Sequence, residues 1–236
     1  ADPSVRVLVV GDSGVGKTRL CHILSGSPLN SNPEWTVGCN MFVFTHTYKN
    51  KTYNIECLDV GGSSVYSASR SLFYQDIDGV ILVHDVSNRN SFTNLSQWIL
   101  ECIGPDIRFN TPNEHDVHLR SKEKHKAKEV TSSNGNRSVV LVIGNKKDKV
   151  SDIPSFTGPL GDNIYTSSLD QNTFKHSTYE GDRVRAFLSQ VIASRYDPML
   201  RNASNSSPSA TRITSTLGSW IGIVSSPLRT SSDDLV

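Results

Sequence analysis

Three observations predict an α/β fold, a mostly parallel sheet covered by helices on both faces. Apolar runs at 5–10, 79–85 and 138–144 are too continuous for half-exposed strands and suit buried central ones. Segments with helical spacing alternate with them: Leu20, Ile23 and Leu24, then Phe92, Leu95, Trp98, Ile99 and Cys102, then Val184, Phe187, Leu188, Val191 and Ile192. Each polar motif with a chemical signature lies at the end of a predicted strand or in the loop beyond, where such sheets bind ligands.

In chain order, the first strand leads into Gly11-Asp12-Ser13-Gly14-Val15-Gly16-Lys17-Thr18, and this loop opens the first helix. Residues 25–40 carry Pro28 and Pro33 and read as a loop containing Thr36. Strands are predicted over 41–48 and 52–59, with Phe42, Phe44, His46 and Tyr48 on one face, and Lys49-Asn50-Lys51 as the hairpin turn between them. Asp59-Val60-Gly61-Gly62-Ser63 follows, then a weakly helical stretch to Tyr74 and the 79–85 strand. Asn90 or Ser91 is expected to cap the next helix. The 138–144 strand ends at Asn145-Lys146-Lys147-Asp148, and a short strand at 163–165 precedes Ser167-Ser168. The last helix is expected over 182–196.

The folded unit is expected over residues 5–198, with three irregular segments. Residues 104–137 exceed an ordinary helix-to-strand connection and, with a basic run at 120–128, read as a flexible insertion. Residues 149–162 hold Pro154, Gly158, Pro159 and Gly161 and suit a turn better than a crossover helix. Residues 199–236 are rich in Ser and Thr and read as a disordered tail, in which the apolar stretch 217–224 is either a partner-binding motif or an accident of composition.

The net charge of +1 implies no nucleic-acid partner, and no apolar run reaches the length of a membrane span. Cys21, Cys39, Cys57 and Cys102 lack metal spacing and are expected to be reduced, mostly buried thiols of a cytoplasmic protein.

Gly11 to Thr18 fits the phosphate-binding pattern G-x-x-x-x-G-K-[S/T] in its required strand–loop–helix setting. The glycines let the backbone N–H groups of Gly14, Val15 and Gly16 turn toward a phosphate chain, with the helix N-terminus behind them. Lys17 reaches the β- and γ-phosphates, and the Thr18 hydroxyl suits Mg²⁺. That loop alone accepts ATP or GTP. Asp148 selects guanine, because its carboxylate accepts from N1–H and the exocyclic 2-amino group, a donor pair adenine lacks. The stem of Lys146 can lie along the base, and Asn145 can tie the base loop to the phosphate loop.

Gly11 to Thr18, Thr36, Asp59 to Gly62, Asn145 to Asp148 and Ser167-Ser168 together resemble the five guanine-box motifs of Ras-superfamily small GTPases, and Gly11 to Lys17 has the form common in Rab proteins. More narrowly, residues 32–39, 59–63, Phe73-Tyr74 and Val83-His84-Asp85 resemble the Rab-like protein 3 group. The resemblance implies a P-loop small G domain with a six-stranded, mostly parallel sheet and two switch loops. It implies Mg²⁺ held by Thr18, Thr36 and, through water, Asp59. It also implies the γ-phosphate sensed by the amides of Thr36 and Gly62 beside Lys17, and guanine O6 met by the backbone of Ser167 and Ser168. Dimerisation, and partners among effectors, regulators, other small GTPases or their chaperones, are implied by the resemblance alone.

Two positions depart from that pattern. Ser63 stands where the family's water-orienting glutamine would be, and Leu169 replaces the usual lysine of the last box. Serine is too short to position the attacking water and also bond it to the γ-phosphate, so hydrolysis is expected at or below about 10⁻⁴ per second. No cysteine follows Cys102, so no lipid anchor of the Rab kind is expected. The leading expectation is a GTP/GDP switch with slow hydrolysis. A nucleotide-stabilised, dimeric interaction module is the alternative. An ATP-dependent enzyme conflicts with Asp148.

Overall fold

Side chains that alternate along the central strands sort the core of the computed structural model into two layers. The structure describes residues 2–29, 34–104, 108–109, 128–131, 137–153 and 163–197. Strand β1 (Ser4–Val10) sends Val5, Val7 and Val9 to one face and Leu8 and Val10 to the other. Strands β4 (Gly79–Asp85) and β7 (Arg137–Asn145) do the same, with Ile81, Val83, Leu141 and Ile143 on the first face and Val80, Leu82, Val140 and Val142 on the second. The first layer is closed by helices α1 (Lys17–Ser25) and α5 (Tyr179–Tyr196), the second by α4 (Leu95–Ile103) through Leu95, Trp98 and Ile99. Strands buried on both faces explain the continuous apolar runs, each fully buried aliphatic side chain contributing about 1.5–3 kcal/mol.

Strand β2 (Cys39–Tyr48) turns back through Lys49 and Asn50, both with positive φ, into the antiparallel strand β3 (Lys51–Val60). That is the primed turn a two-residue hairpin requires. β3, β1, β4 and β7 then run parallel. Among the described residues the six strands the resemblance implies, β1 to β4, β7 and β8 (Ile164–Tyr165), are joined by two more, and β8 pairs with β7 beside the path β2-β3-β1-β4-β7. The additions are β5 (Arg108–Phe109) and β6 (Lys128–Thr131), inside the segment expected to be a flexible insertion. β6 pairs antiparallel with residues 137–140 of β7, and β8 pairs parallel with residues 143–144. The two-residue β8 reaches only residues 143–144 of that edge, and β6 covers its amino-terminal part, residues 137–140.

The helix expected from Asn90 or Ser91 is instead capped by Asn88, whose side chain accepts from the Asn90 N–H at 3.1 Å. It divides at Asn94 into α3 (Arg89–Thr93) and α4. Helix α5 starts earlier than 182 because Thr178 caps it, accepting from the Gly181 N–H at 3.0 Å, with Glu180 and Asp182 in its first turn. Between β3 and β4 lies only the short helix α2 (Ser67–Arg70), flanked by single 3₁₀ turns. All four cysteines are free thiols, but only Cys21 and Cys57 are buried, so the expectation of mostly buried thiols holds for half of them. Among the described residues no helix is long and apolar enough to cross a membrane. The expectations for the 149–162 turn beyond residue 153, for most of 104–137 and for the tail fall outside the described residues.

Candidate nucleotide-binding site

At the carboxyl ends of β1, β3, β4, β7 and β8 and in the adjoining loops lie the phosphate-loop, Thr36, Asp59–Gly62, Asn145–Asp148 and Ser167–Ser168 residues named from the sequence. After Val10 the chain runs through Gly11, Gly14 and Gly16 with positive φ before α1 begins at Lys17. Gly16 must be glycine on two counts: its φ is 99°, and a Cβ there would meet the Asn145 amide nitrogen at 2.3 Å. Lys17 is buried, and its ammonium donates to the carbonyls of Gly11 at 2.8 Å and Asp12 at 2.9 Å. Burial pulls its pKa down to about 8 against the opposing pull of Asp59 and Asp12. The ammonium thus sits inside the loop's curve, within a side-chain rotation of whatever that curve encloses.

Asn145 joins this loop to the end of β7. Fully buried, its Nδ2 donates to the Val15 carbonyl at 2.8 Å, while its Oδ1 accepts from the Ser168 N–H at 3.0 Å. The Asn145 side chain therefore bridges three loops. Lys146 follows in a left-handed conformation, φ 64°, and pairs with Asp85 at 2.8 Å at the end of β4. Burial pushes the Asp85 carboxyl up, but bonds from Lys146 and Ser87 outweigh it and hold the group below its ordinary range. Asp148 is exposed and accepts a short hydrogen bond from the Ser167 hydroxyl. Ser167 and Ser168 are both buried, and Arg19 Nε donates to the Ser168 carbonyl at 2.6 Å. Leu169 is exposed, in keeping with its weak fit to a base-covering role.

Thr18, Thr36 and Asp59 form a cluster of oxygens. The two hydroxyls lie 2.9 Å apart, and Asp59 Oδ2 accepts from Thr18 at 2.7 Å and from Thr36 at 3.2 Å. The Asp59 carboxylate is fully buried, and its Oδ1 has no hydrogen-bond partner among the described residues. A buried carboxylate oxygen left unpaired beside two hydroxyls is a donor set that fits a hard cation such as Mg²⁺. Gly62 packs so closely that a Cβ would stand 2.6 Å from Lys17 Nζ and 2.5 Å from the Gly11 carbonyl oxygen. Gly61 N–H donates to the Gly38 carbonyl at 2.9 Å, which links the Thr36 loop to the Gly62 loop.

Sequence reasoning missed a second circle of residues. Asp12 accepts from Trp98 Nε1 and from Asn94 Nδ2, both at 2.8 Å, so α4 grips the phosphate loop. Trp98 reads in the sequence as one more apolar residue on a buried face, and nothing in helical spacing reveals where its N–H donates. Arg70, Glu101 and Tyr74 likewise meet only in the folded chain.

Comparison with known proteins agrees with this geometry. Residues 6–106 match the Ras family model. Rab-like protein 3 of Bos taurus is 47% identical over 112 residues, covering 44% of this chain and 48% of that protein. The Rab-like protein 3 of Xenopus tropicalis is 39% identical over 159 residues, 62% of each. Small GTPase LIP1 of Arabidopsis thaliana is 42% identical over 110 residues, 41% of this chain and 32% of that protein. The chain spans about half, and at most about three-fifths, of the length of the Rab-like relatives it matches. Ras-family GTPases bind GTP or GDP, typically with Mg²⁺. By these matches residues 6–106 are similar to the Ras family, and the chain is similar to Rab-like small GTPases over about two-fifths to three-fifths of its length.

Proposed function

We propose that the chain binds GTP and GDP with Mg²⁺ and acts as a switch whose 34–38 and 61–74 loops respond to the γ-phosphate. The observation that carries this reading is Asn145, a fully buried side chain tying the phosphate loop to the Ser167-Ser168 turn. That bridge fixes the distance between a triphosphate and a base, which is the requirement for recognising a whole nucleotide.

In this reading Lys17 exchanges the Gly11 and Asp12 carbonyls for the β- and γ-phosphate oxygens, beside the N–H groups of Gly14, Val15, Gly16 and Thr18. Asp148 receives the guanine N1–H and 2-amino group, Lys146 lies along the base while paired to Asp85, and the Ser167 and Ser168 backbone meets O6. The hydroxyls of Thr18 and Thr36 and the carboxylate of Asp59 would hold Mg²⁺. The ion neutralises phosphate charge when bound. Thr36 and Gly62 present their amides to the γ-phosphate, which draws the two loops together.

Hydrolysis is slow in this account, because Ser63 cannot both orient the attacking water and bond the γ-phosphate. The same residue supports a second reading, an interaction module whose partners, other small GTPases or their chaperones or a second copy of the chain, hardly distinguish GTP from GDP. Equilibrium binding with GTP, GDP and ATP tests the main reading. GTP is expected to outcompete ATP by at least about 100-fold, Asp148→Asn is expected to abolish that preference, and equal affinity of the wild type for ATP contradicts the reading. Partner affinity compared in the two nucleotide states separates the switch from the module. Ser63→Gln is expected to raise single-turnover hydrolysis, and an unchanged rate refutes the role given to Ser63.

A further inference from the structure

Arg70 is a charged side chain that the nucleotide chemistry does not use, yet it is only 4% exposed. Each of its three guanidinium nitrogens donates a hydrogen bond. Nε and Nη2 fork onto the two oxygens of Glu101 at 2.7 and 2.8 Å, Nη1 donates to the Ser63 carbonyl at 2.7 Å, and the plane lies 4.4 Å from the Trp98 ring centroid. Tyr74 donates to the same Glu101 at 2.6 Å. Burial pushes the Glu101 carboxyl up, but Arg70 and Tyr74 outweigh it and hold it below its ordinary range. Trp98 in turn holds Asp12. A continuous set of contacts therefore runs from Ser63 through Arg70 and α4 to the phosphate loop.

The segment Arg70 holds has little else to order it. Five of the residues from Ser63 to Ser71 are serines, a poor helix-forming composition, and Val65 and Leu72 are 81% and 71% exposed. Phe73 and Tyr74 pack against the second core layer, but at the far end of the segment from Gly62. Near Gly62, beside the Gly61–Gly38 backbone bond and the packing of Gly62 on the phosphate loop, a bidentate, part-buried ion pair stacked on an aromatic ring is the side-chain contact that orders the segment, with the fixed geometry an arginine fork provides.

We propose that Arg70 and Glu101 are positioning residues that hold the Gly62–Ser63 backbone at the phosphate loop, so that sensing of the γ-phosphate depends on this pair. The proposal rests on the nucleotide reading above. It assigns α4 the task of keeping the phosphate loop, through Asp12, and the Gly62 loop, through Arg70, in a common frame. An arginine–glutamate pair acts here through the backbone of residues 62 and 63 and touches no nucleotide atom itself.

The test uses the full chain with Glu101→Gln and, independently, Arg70→Lys, which keeps the charge but cannot fork onto Glu101 and reach Ser63 together. Dissociation of labelled GDP and of a non-hydrolysable GTP analogue is timed with Mg²⁺ present, and hydrogen exchange is followed at residues 62–66. Both variants are expected to release the analogue at least fivefold faster than wild type with GDP release within twofold, and to exchange at 62–66 at least tenfold faster. A purely structural role instead speeds release of both nucleotides equally and overturns the proposal. So does wild-type release and exchange in a variant with a wild-type melting temperature. If one variant does not fold, the other decides. If wild type binds no guanine nucleotide the functional reading fails, whereas the pair's hold on residues 62–66 is still decided by exchange in the nucleotide-free chain.

Discussion

The frame around Asn145 and the loops around Thr36 and Gly62 are built by opposite means. The frame is made of buried groups: Asn145, Lys17, Ser167 and Ser168 all turn inward, with bonds to backbone atoms that the strand ends hold in place. The loops expose Trp35, Val37, Val65 and Leu72, each by more than two-thirds, and are held through side chains at a few points. Backbone-anchored, buried bonds open only with the fold, whereas a loop fastened by a few side chains can rearrange at small cost. The contrast supports the proposed reading, in which the frame holds a nucleotide and the loops answer it.

Four predictions break or sharpen this contrast. Lys17→Ala removes the cation facing the phosphates. Nucleotide affinity is expected to fall by about 100-fold in an equilibrium titration. The nucleotide-free chain should melt no lower, because burial disfavours that charge in the folded chain.

The second concerns pH. Burial in β4 lowers the His84 pKa from 6.5 to about 4, so the unfolded chain binds the proton first as pH falls. Stability from this group is complete above pH 6.5 and is lost between 6.5 and 4, by about 3 kcal/mol in all. Denaturant unfolding across that range should be less pH-dependent by this amount in His84→Phe than in wild type.

Third, Asn145→Ala leaves the Val15 carbonyl and Ser168 N–H without their partner. It should cost about 2 kcal/mol of stability in urea titration and weaken GTP and GDP binding alike. Last, Val65→Ser and Leu72→Ser on the loops should each change stability by less than about 0.5 kcal/mol in the same assay. A cost as large as that of Asn145→Ala would erase the distinction between the regions.

Much of the frame is legible in the sequence, since local backbone chemistry writes it: glycines where φ is positive, a lysine at the start of a helix, a polar quartet at a strand end. The alternating layers are legible for the same reason, because strand periodicity is local. What is not legible depends on which elements become neighbours. Asp12 meets Trp98 across 86 residues, and Arg70 meets Glu101 across 31, with no spacing rule to connect either pair. The break at Asn94 belongs to this class, since its side chain serves Asp12 instead of the helix. β6 finds its place only because β8 is two residues long, a fact about an edge and not about the composition of 104–137.

The most direct test of the contrast is an amide NMR comparison of the chain bound to GDP and to a non-hydrolysable GTP analogue, both with Mg²⁺. The account predicts large shift changes at residues 34–38 and 61–74, with residues 14–18, 145–148 and 167–168 changing little beyond the amides that meet the γ-phosphate. Changes spread evenly over both regions, or loops that give the same spectrum in both states, would contradict it.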